Sequence, residues 1–123
     1  MKDKIKLHNM VFYAFHGVSS EEKSSGQRFM VDLEMSLDLR QAGISDNLSK
    51  TVHYGHVYRM VKTIVEDQNF DLIEALAEKI ADRVLKSYGL VETVLVCVKK
   101  PQVPIQGMLD YAAVEIVRNR SDG

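Results

Sequence analysis

From Arg28 to Leu39 the chain alternates. Phe29, Val31, Leu33, Met35, Leu37 and Leu39 fall on one side, and Arg28, Met30, Asp32, Glu34, Ser36 and Asp38 on the other. A sustained period of two predicts a long strand with one buried face and one wet face. Residues 4–15 alternate more loosely, through Ile5 and Leu7 and then Met10, Phe12 and Tyr13. The phase slips near Asn9, which predicts a bulged strand that ends at His16-Gly17. Between the two strands, residues 18–27 are rich in Ser, Glu, Lys and Gly and read as a loop. So short a polar connection predicts antiparallel pairing.

The period then changes. After a mixed linker over residues 40–54, Val57, Met60, Val61, Ile64 and Val65 recur at spacings of three and four, predicting an amphipathic helix from about His56 to Gln68. Asn69-Phe70-Asp71 interrupts it. Leu72, Ile73, Leu76, Ala77, Ile80 and Val84 define a second helix, ending near Ser87-Tyr88-Gly89 with Gly89 as its C′ residue. Val94, Val96 and Val98, alternating with Leu95 and Cys97, predict a third strand over 91–99. Both prolines lie in the following loop, and residues 110–118 alternate again as a fourth strand. The polar tail, 119–123, is expected to fray. The order β-β-α-α-β-β predicts an α+β fold: one antiparallel four-stranded sheet with both helices on one face, residues 1–123 forming a single domain. Two sheet edges remain, and strands this regular point to neighbouring subunits covering them.

Composition narrows the function. With 123 residues, 46% apolar and 27% charged, the chain can bury one core. A net charge of −1, with no run of Lys or Arg, argues against nucleic-acid binding. The start, Met1-Lys2-Asp3-Lys4-Ile5, has no apolar signal region, and no 18-residue apolar run exists to span a membrane. Cys97, the one cysteine, sits in an apolar strand pattern and reads as a small buried hydrophobe. The expected location is the cytoplasm.

Metal chemistry finds little support. His53 and His56 are three apart, His8 and His16 lie far upstream, and there is no HExxH motif or Cys pair. No nucleophile elbow, Walker loop or Gly-x-Gly-x-x-Gly is present. The densest polar cluster is Thr51–His56, which crowds Tyr54 and two imidazoles together. Glu74 has two readings. With Asp71 it forms an N-cap pattern; alternatively, it faces a cleft at the helix start, where its two oxygens would accept a pair of N–H bonds from an aminopyrimidinone edge. Lys100, before Pro101, reads as a solvated strand end, Glu22 as a loop residue, and Tyr54 as a packing residue or an acid. None of these signals is specific alone.

Together they are. The segments Phe12–Val18, Glu21-Glu22 with Gly26–Asp32, Asp46-Asn47, Thr51–Gly55, Leu72–Glu78, Lys100-Pro101, Pro104-Ile105 and Val114–Arg118 run in family order, and by them the chain closely resembles the dihydroneopterin aldolases of folate biosynthesis. The resemblance implies the tunnelling fold, with four subunits closing their sheets into a ring and two rings stacking into a homo-octamer. It implies retro-aldol cleavage of 7,8-dihydroneopterin, a pterin, to 6-hydroxymethyl-7,8-dihydropterin and glycolaldehyde. Neither metal, cofactor nor Schiff base is expected. It further implies that Glu74 anchors the pterin amino and ring N–H groups, and that the backbone around Val52 and Ile73 bonds the ring. Tyr54 and Lys100 would be catalytic, with Glu22 binding the substrate side chain beside Lys100. Val52, His53 and Tyr54 would complete the pocket of the adjacent subunit. Ser20 and Gln106 stand where proline is frequent in the family, and both lie in loops. Three other readings stay open. One is epimerase activity toward 7,8-dihydromonapterin. Another is a dihydroneopterin triphosphate epimerase, which would call for extra basic residues. The third is a ring-forming pterin-binding protein without catalysis. Zinc-dependent enzymes of the same fold, such as pyruvoyl-tetrahydropterin synthase, require a histidine triad that the spacing in this chain does not supply.

Overall fold

The computed structural model describes residues 3–122. In chain order it contains strand β1 (Lys4–Ala14), helix α1 (Ser20–Ser25), β2 (Gln27–Ser36), α2 (Arg40–Ser45), a 3-10 turn (Leu48–Lys50), α3 (Tyr54–Asp67), α4 (Ile73–Ser87), β3 (Thr93–Lys100), β4 (Ala112–Asn119) and a closing 3-10 turn (Arg120–Asp122). The sheet order is β1-β2-β3-β4, every pairing is antiparallel, and β1 and β4 are the edges.

The register follows the alternation of β2. Phe29, Val31, Leu33 and Met35 lie fully buried, in one core with Val94, Val96 and Val98 of β3. Val57, Val61, Ile64 and Val65 of α3 and Leu76, Ala77, Ile80, Ala81 and Val84 of α4 cover that face. The helices therefore bury the apolar stripes that their periods of three and four create. The other sheet face is uncovered within the chain and mixed, with Val11, Tyr13 and Val117 exposed among charged residues. Glu34 there pairs with Lys4 (3.3 Å) and His8 (3.0 Å), and Asp32 with Lys99 (2.9 Å).

The phase slip at Asn9 is a bulge: the β1–β2 register shifts between Leu7 and Met10. Asn9 has φ 57°, the left-handed region an Asn tolerates better than most residues. Its N–H donates to Asp32 Oδ1 (2.7 Å), while its own Oδ1 accepts from Lys99 (3.3 Å). The bulge is thus fastened by side chains of β2 and β3.

Three expectations change. The polar stretch 18–27 holds the single-turn helix α1, started by a reciprocal capping box between Ser19 and Glu22. The linker 40–54 contains α2 and a 3-10 turn. In the polar tail, Asn119 ends β4 and Arg120–Asp122 form the closing 3-10 turn; Gly123 lies outside the described residues. Arg120 donates through its guanidinium to the carbonyls of Leu85, Tyr88 and Val91 (each 2.8 Å), and its N–H donates to Glu92 O (2.9 Å). Gly89 does follow the α4 cap residue Tyr88, but only Gly17 and Gly26 have positive φ among the described glycines. The orphan carbonyls at the end of α4 are satisfied by a cation from the far end of the chain instead of by a left-handed turn. Arg120→Ala is expected to destabilise the protein by about 1–3 kcal/mol, because its charge-assisted bonds to the carbonyls of Leu85, Tyr88 and Val91 are lost. Urea denaturation at fixed protein concentration measures it.

Candidate active site

The expected site residues divide into two groups at opposite ends of the sheet. The first group forms where α1 meets the end of β3. Ser19 Oγ accepts from the Glu22 N–H (3.2 Å), and Glu22 Oε1 accepts from the Ser19 N–H (3.3 Å) and hydroxyl (3.1 Å). This locks the Glu22 side chain against its own helix start and turns Oε2 toward Lys100 Nζ, with which it forms an ion pair. Both side chains are largely covered, 11% exposed for Glu22 and 14% for Lys100. Burial alone would raise the Glu22 pKa. Hydrogen bonds from Lys100 and Ser19 outweigh it and hold the carboxyl below its usual range. The result is a fixed carboxylate–ammonium pair.

Two further devices hold this pair in place. Gln27 donates to Gln102 O and accepts from Gln102 N–H (both 2.8 Å), pinning the chain beyond Lys100-Pro101 to the start of β2. Gly17, at φ 147°, passes so close to Glu22 that a Cβ there would sit 2.6 Å from the Glu22 Cβ.

His16 lies at the same end and is buried at 1% exposure. Its Nε2–H donates to Val65 O (2.8 Å), and its Nδ1 accepts from the Phe70 N–H (3.0 Å), which fixes one neutral tautomer. Burial lowers its pKa, the bond to Val65 opposes that, and Lys100 and Lys23 add to it. The folded pKa thus lies below the unfolded value of 6.5, so the unfolded state binds the proton more tightly. His16 contributes stability that is complete above pH 6.5 and is lost as pH falls through its folded pKa. The urea midpoint is expected to start falling with pH while the carboxylates are still ionised. His16→Asn should flatten that part of the profile.

Ile73 and Glu74 form the first turn of α4, just beyond Phe70. The N-cap residue is Leu72, which gives no side-chain cap, and Asp71 forms an ion pair with Lys23 instead. The capping reading of Asp71 and Glu74 is therefore overturned, and Glu74 stands exposed at a helix N-terminus.

The second group is remote. Val52 is buried in the core, His53 is the N-cap residue of α3 and stacks on His56 (4.1 Å between ring centroids), and Tyr54 is 62% exposed. Val52, His53 and Tyr54 share a groove with Ile5 and Leu39. Ile5 pairs with Met35, whereas the Glu22–Lys100 group lies beside Gln27 at the other end of β2. Those ends are separated by about 27 Å at the ordinary rise of a strand. One protomer brings Glu22 and Lys100 together, places Ile73 and Glu74 at the same end, and leaves Tyr54 at the other.

Sequence reading missed Ser19, Gly17 and the Gln27–Gln102 clamp as supports of the site. Ser19-x-x-Glu22 was legible as a capping box. The partners of His16 and Gln27 lie 49 to 75 residues away, beyond any local pattern. Cys97 is buried, and burial, then Asp32 and Glu115, push its thiol pKa up, so it is no thiolate nucleophile. Among the described residues no three His, Cys, Asp or Glu side chains group so as to hold a metal ion, and no helix is long and apolar enough to cross a membrane.

The family model described as FolB, dihydroneopterin aldolase, matches residues 5–117. The chain is 47% identical to the dihydroneopterin aldolase of Methylorubrum extorquens, over 99% of this chain and 94% of that protein. It is 44% identical to that of Bacillus subtilis, over 97% and 99%. Among solved structures it is similar to Escherichia coli dihydroneopterin aldolase in complex with neopterin, with a TM-score of 0.87 and 26% identity over 95% of this chain and 99% of that one. The β-β-α-α-β-β chain has the tunnelling fold, and it belongs to the dihydroneopterin aldolase family, the aldehyde-lyases of folate biosynthesis.

Proposed function

We propose that the site cleaves 7,8-dihydroneopterin with its own side chains alone, and that it is completed across a subunit interface. The observation that carries this reading is the split arrangement. An ion pair preorganised by a capping box stands with Glu74 at one end of the protomer, while Tyr54 is exposed at the other. A second copy in a closed ring would supply the missing tyrosine and cover the free edges of β1 and β4. A tetrameric ring stacked into an octamer fits this need. The neopterin held by the Escherichia coli relative supports a pterin as ligand. A free, buried Cys97 agrees with a reducing cytoplasm.

In this reading Glu74 accepts hydrogen bonds from the amino group and ring N–H of the pterin, and backbone groups at Ile73 and, from the adjacent subunit, Val52 and His53 bond the ring edge. Glu22 receives the side-chain hydroxyls. The dihydropterin carries an imine next to its side-chain carbon, and this is the electron sink. A water held by Lys100 and Tyr54 removes the proton of the second side-chain hydroxyl. The bond between the first and second side-chain carbons breaks, its electron pair enters the imine, and glycolaldehyde leaves. Lys100 stabilises the negative charge that develops at the ring nitrogen. Tyr54 returns a proton to the enamine carbon, giving 6-hydroxymethyl-7,8-dihydropterin. Re-addition of glycolaldehyde with the opposite orientation gives 7,8-dihydromonapterin, so epimerisation accompanies cleavage.

Incubation with 7,8-dihydroneopterin is expected to release glycolaldehyde and 6-hydroxymethyl-7,8-dihydropterin in equal amounts, with some dihydromonapterin. Pterin binding without any glycolaldehyde would make the protein a non-catalytic binder. Conversion of the triphosphate alone would make it a triphosphate epimerase.

A further inference from the structure

The two halves of the proposed pocket within one protomer belong to different parts of the chain. Glu22 and Lys100 come from α1 and β3, and Ile73 and Glu74 come from the start of α4. One dipeptide touches both halves. On one side, His16 Nδ1 accepts from the Phe70 N–H (3.0 Å), and the Gly17 N–H donates to Phe70 O (2.9 Å). Phe70 therefore exchanges both its backbone groups with the end of β1, three residues before α4 begins. On the other side, Gly17 presses on the Glu22 side chain with no room for a Cβ.

His16 is itself held from a third direction, by its bond to Val65 O in the last turns of α3 and by ring contacts to Phe29 (5.1 Å) and Phe70 (5.7 Å). The Lys23–Asp71 ion pair spans the same junction, but both its side chains are well exposed (42% and 68%), so it is a weak tie. The buried imidazole and the glycine are the rigid link.

We propose that His16-Gly17 is a positioning element of the pterin pocket: it fixes the spacing between the ring anchor Glu74 and the Glu22–Lys100 pair, so that one ligand engages both. This rests on the assignment of Glu74 to the ring and of Glu22–Lys100 to the side chain. A ligand tethered at two points gains from correct spacing, whereas a ligand bound at one point is indifferent to it. Loosening the link therefore has a signature that general destabilisation lacks. Affinity falls for a ligand that spans both halves and not for one that uses the ring anchor alone.

The test is fluorescence titration of the purified full-length oligomer with neopterin, which carries the side chain, and pterin, which lacks it. In His16→Ala and in Gly17→Ala, neopterin is expected to bind about tenfold more weakly, while pterin stays within about twofold of the unaltered protein. His16→Asn keeps an acceptor for the Phe70 N–H and loses the donor to Val65. It is expected to hold the neopterin-to-pterin ratio near wild type despite lower stability. That variant and Gly17→Ala carry the test if His16→Ala does not fold. A parallel loss for both ligands, or no loss for neopterin, overturns the proposal. Glu74→Ala is measured alongside and is expected to weaken both ligands. If pterin binding survives in Glu74→Ala, the anchor assignment itself fails, an outcome distinct from any behaviour of the His16 and Gly17 variants.

Discussion

Lys100→Ala is expected to lower kcat for dihydroneopterin cleavage by about 10²–10³, the usual cost of deleting one charged or hydrogen-bonding stabiliser of a developing negative charge. Among the described residues the Lys100 ammonium is the cation paired with Glu22, and it enters the proposed reaction where the electron pair arrives. Its removal also strands a mostly covered carboxylate with Ser19 as its remaining partner, so a stability loss of about 1–2 kcal/mol accompanies the rate loss. The two effects separate cleanly. Saturating substrate and a temperature well below the melting transition isolate kcat, while pterin affinity stays within a few-fold because Glu74 is untouched. Borohydride added during turnover is expected to leave no substrate mass on Lys100, since the imine that accepts the electrons belongs to the substrate. A kcat near wild type, or a trapped adduct, would remove Lys100 from its role as the stabiliser of that charge.

The second large effect comes from mixing two dead proteins. Tyr54→Phe and Lys100→Ala chains, each nearly inactive alone, are expected to regain activity when dissociated and reassembled together. If every site takes Lys100 from one chain and Tyr54 from its neighbour, random assembly of equal amounts makes roughly one site in four wholly wild type. The physical ground is distance. With the Tyr54 groove beside Ile5 and the Lys100 group beside Gln27, the length of β2 lies between them, and no side-chain rotation closes that gap. Verified mixed oligomers with no recovered activity would return the tyrosine to the pocket of its own chain. Such a result would also require α3 to move bodily against the sheet, which its buried face of Val57, Val61, Ile64 and Val65 opposes.

Local chemistry decided much of the architecture. The alternation through Phe29–Met35 and the three-and-four spacing of Val57–Val65 and Leu76–Val84 each pick one face of one element. Once every element has one apolar face, a four-stranded sheet with two helices on that face is the economical way to bury them all. The bulge at Asn9 was legible too, because a one-residue phase slip in a period of two has no other simple solution. The Ser19–Glu22 capping box was written in the sequence as a motif, although the surrounding polarity masked it as loop. The same motif logic misled at Asp71–Glu74, where the capping pattern is present but Asp71 is drawn to Lys23.

The candidate site was legible as a set of residues through family resemblance, not as a geometry. Nothing local distinguishes Lys100 before a proline from an ordinary solvated strand end. Its pairing with Glu22 depends on β3 ending where α1 begins, a consequence of register between strands distant in sequence. The same holds for His16 with Phe70, Gln27 with Gln102, and Arg120 with the end of α4. By itself, then, the sequence determined the four strands and two long helices, their buried faces, the fold class and the family, because hydrophobic periodicity and short motifs are encoded by neighbours along the chain. The tertiary structure alone decided which polar groups meet, and that Tyr54 lies a strand's length from Lys100, because those facts follow from how separate elements align once their apolar faces are packed.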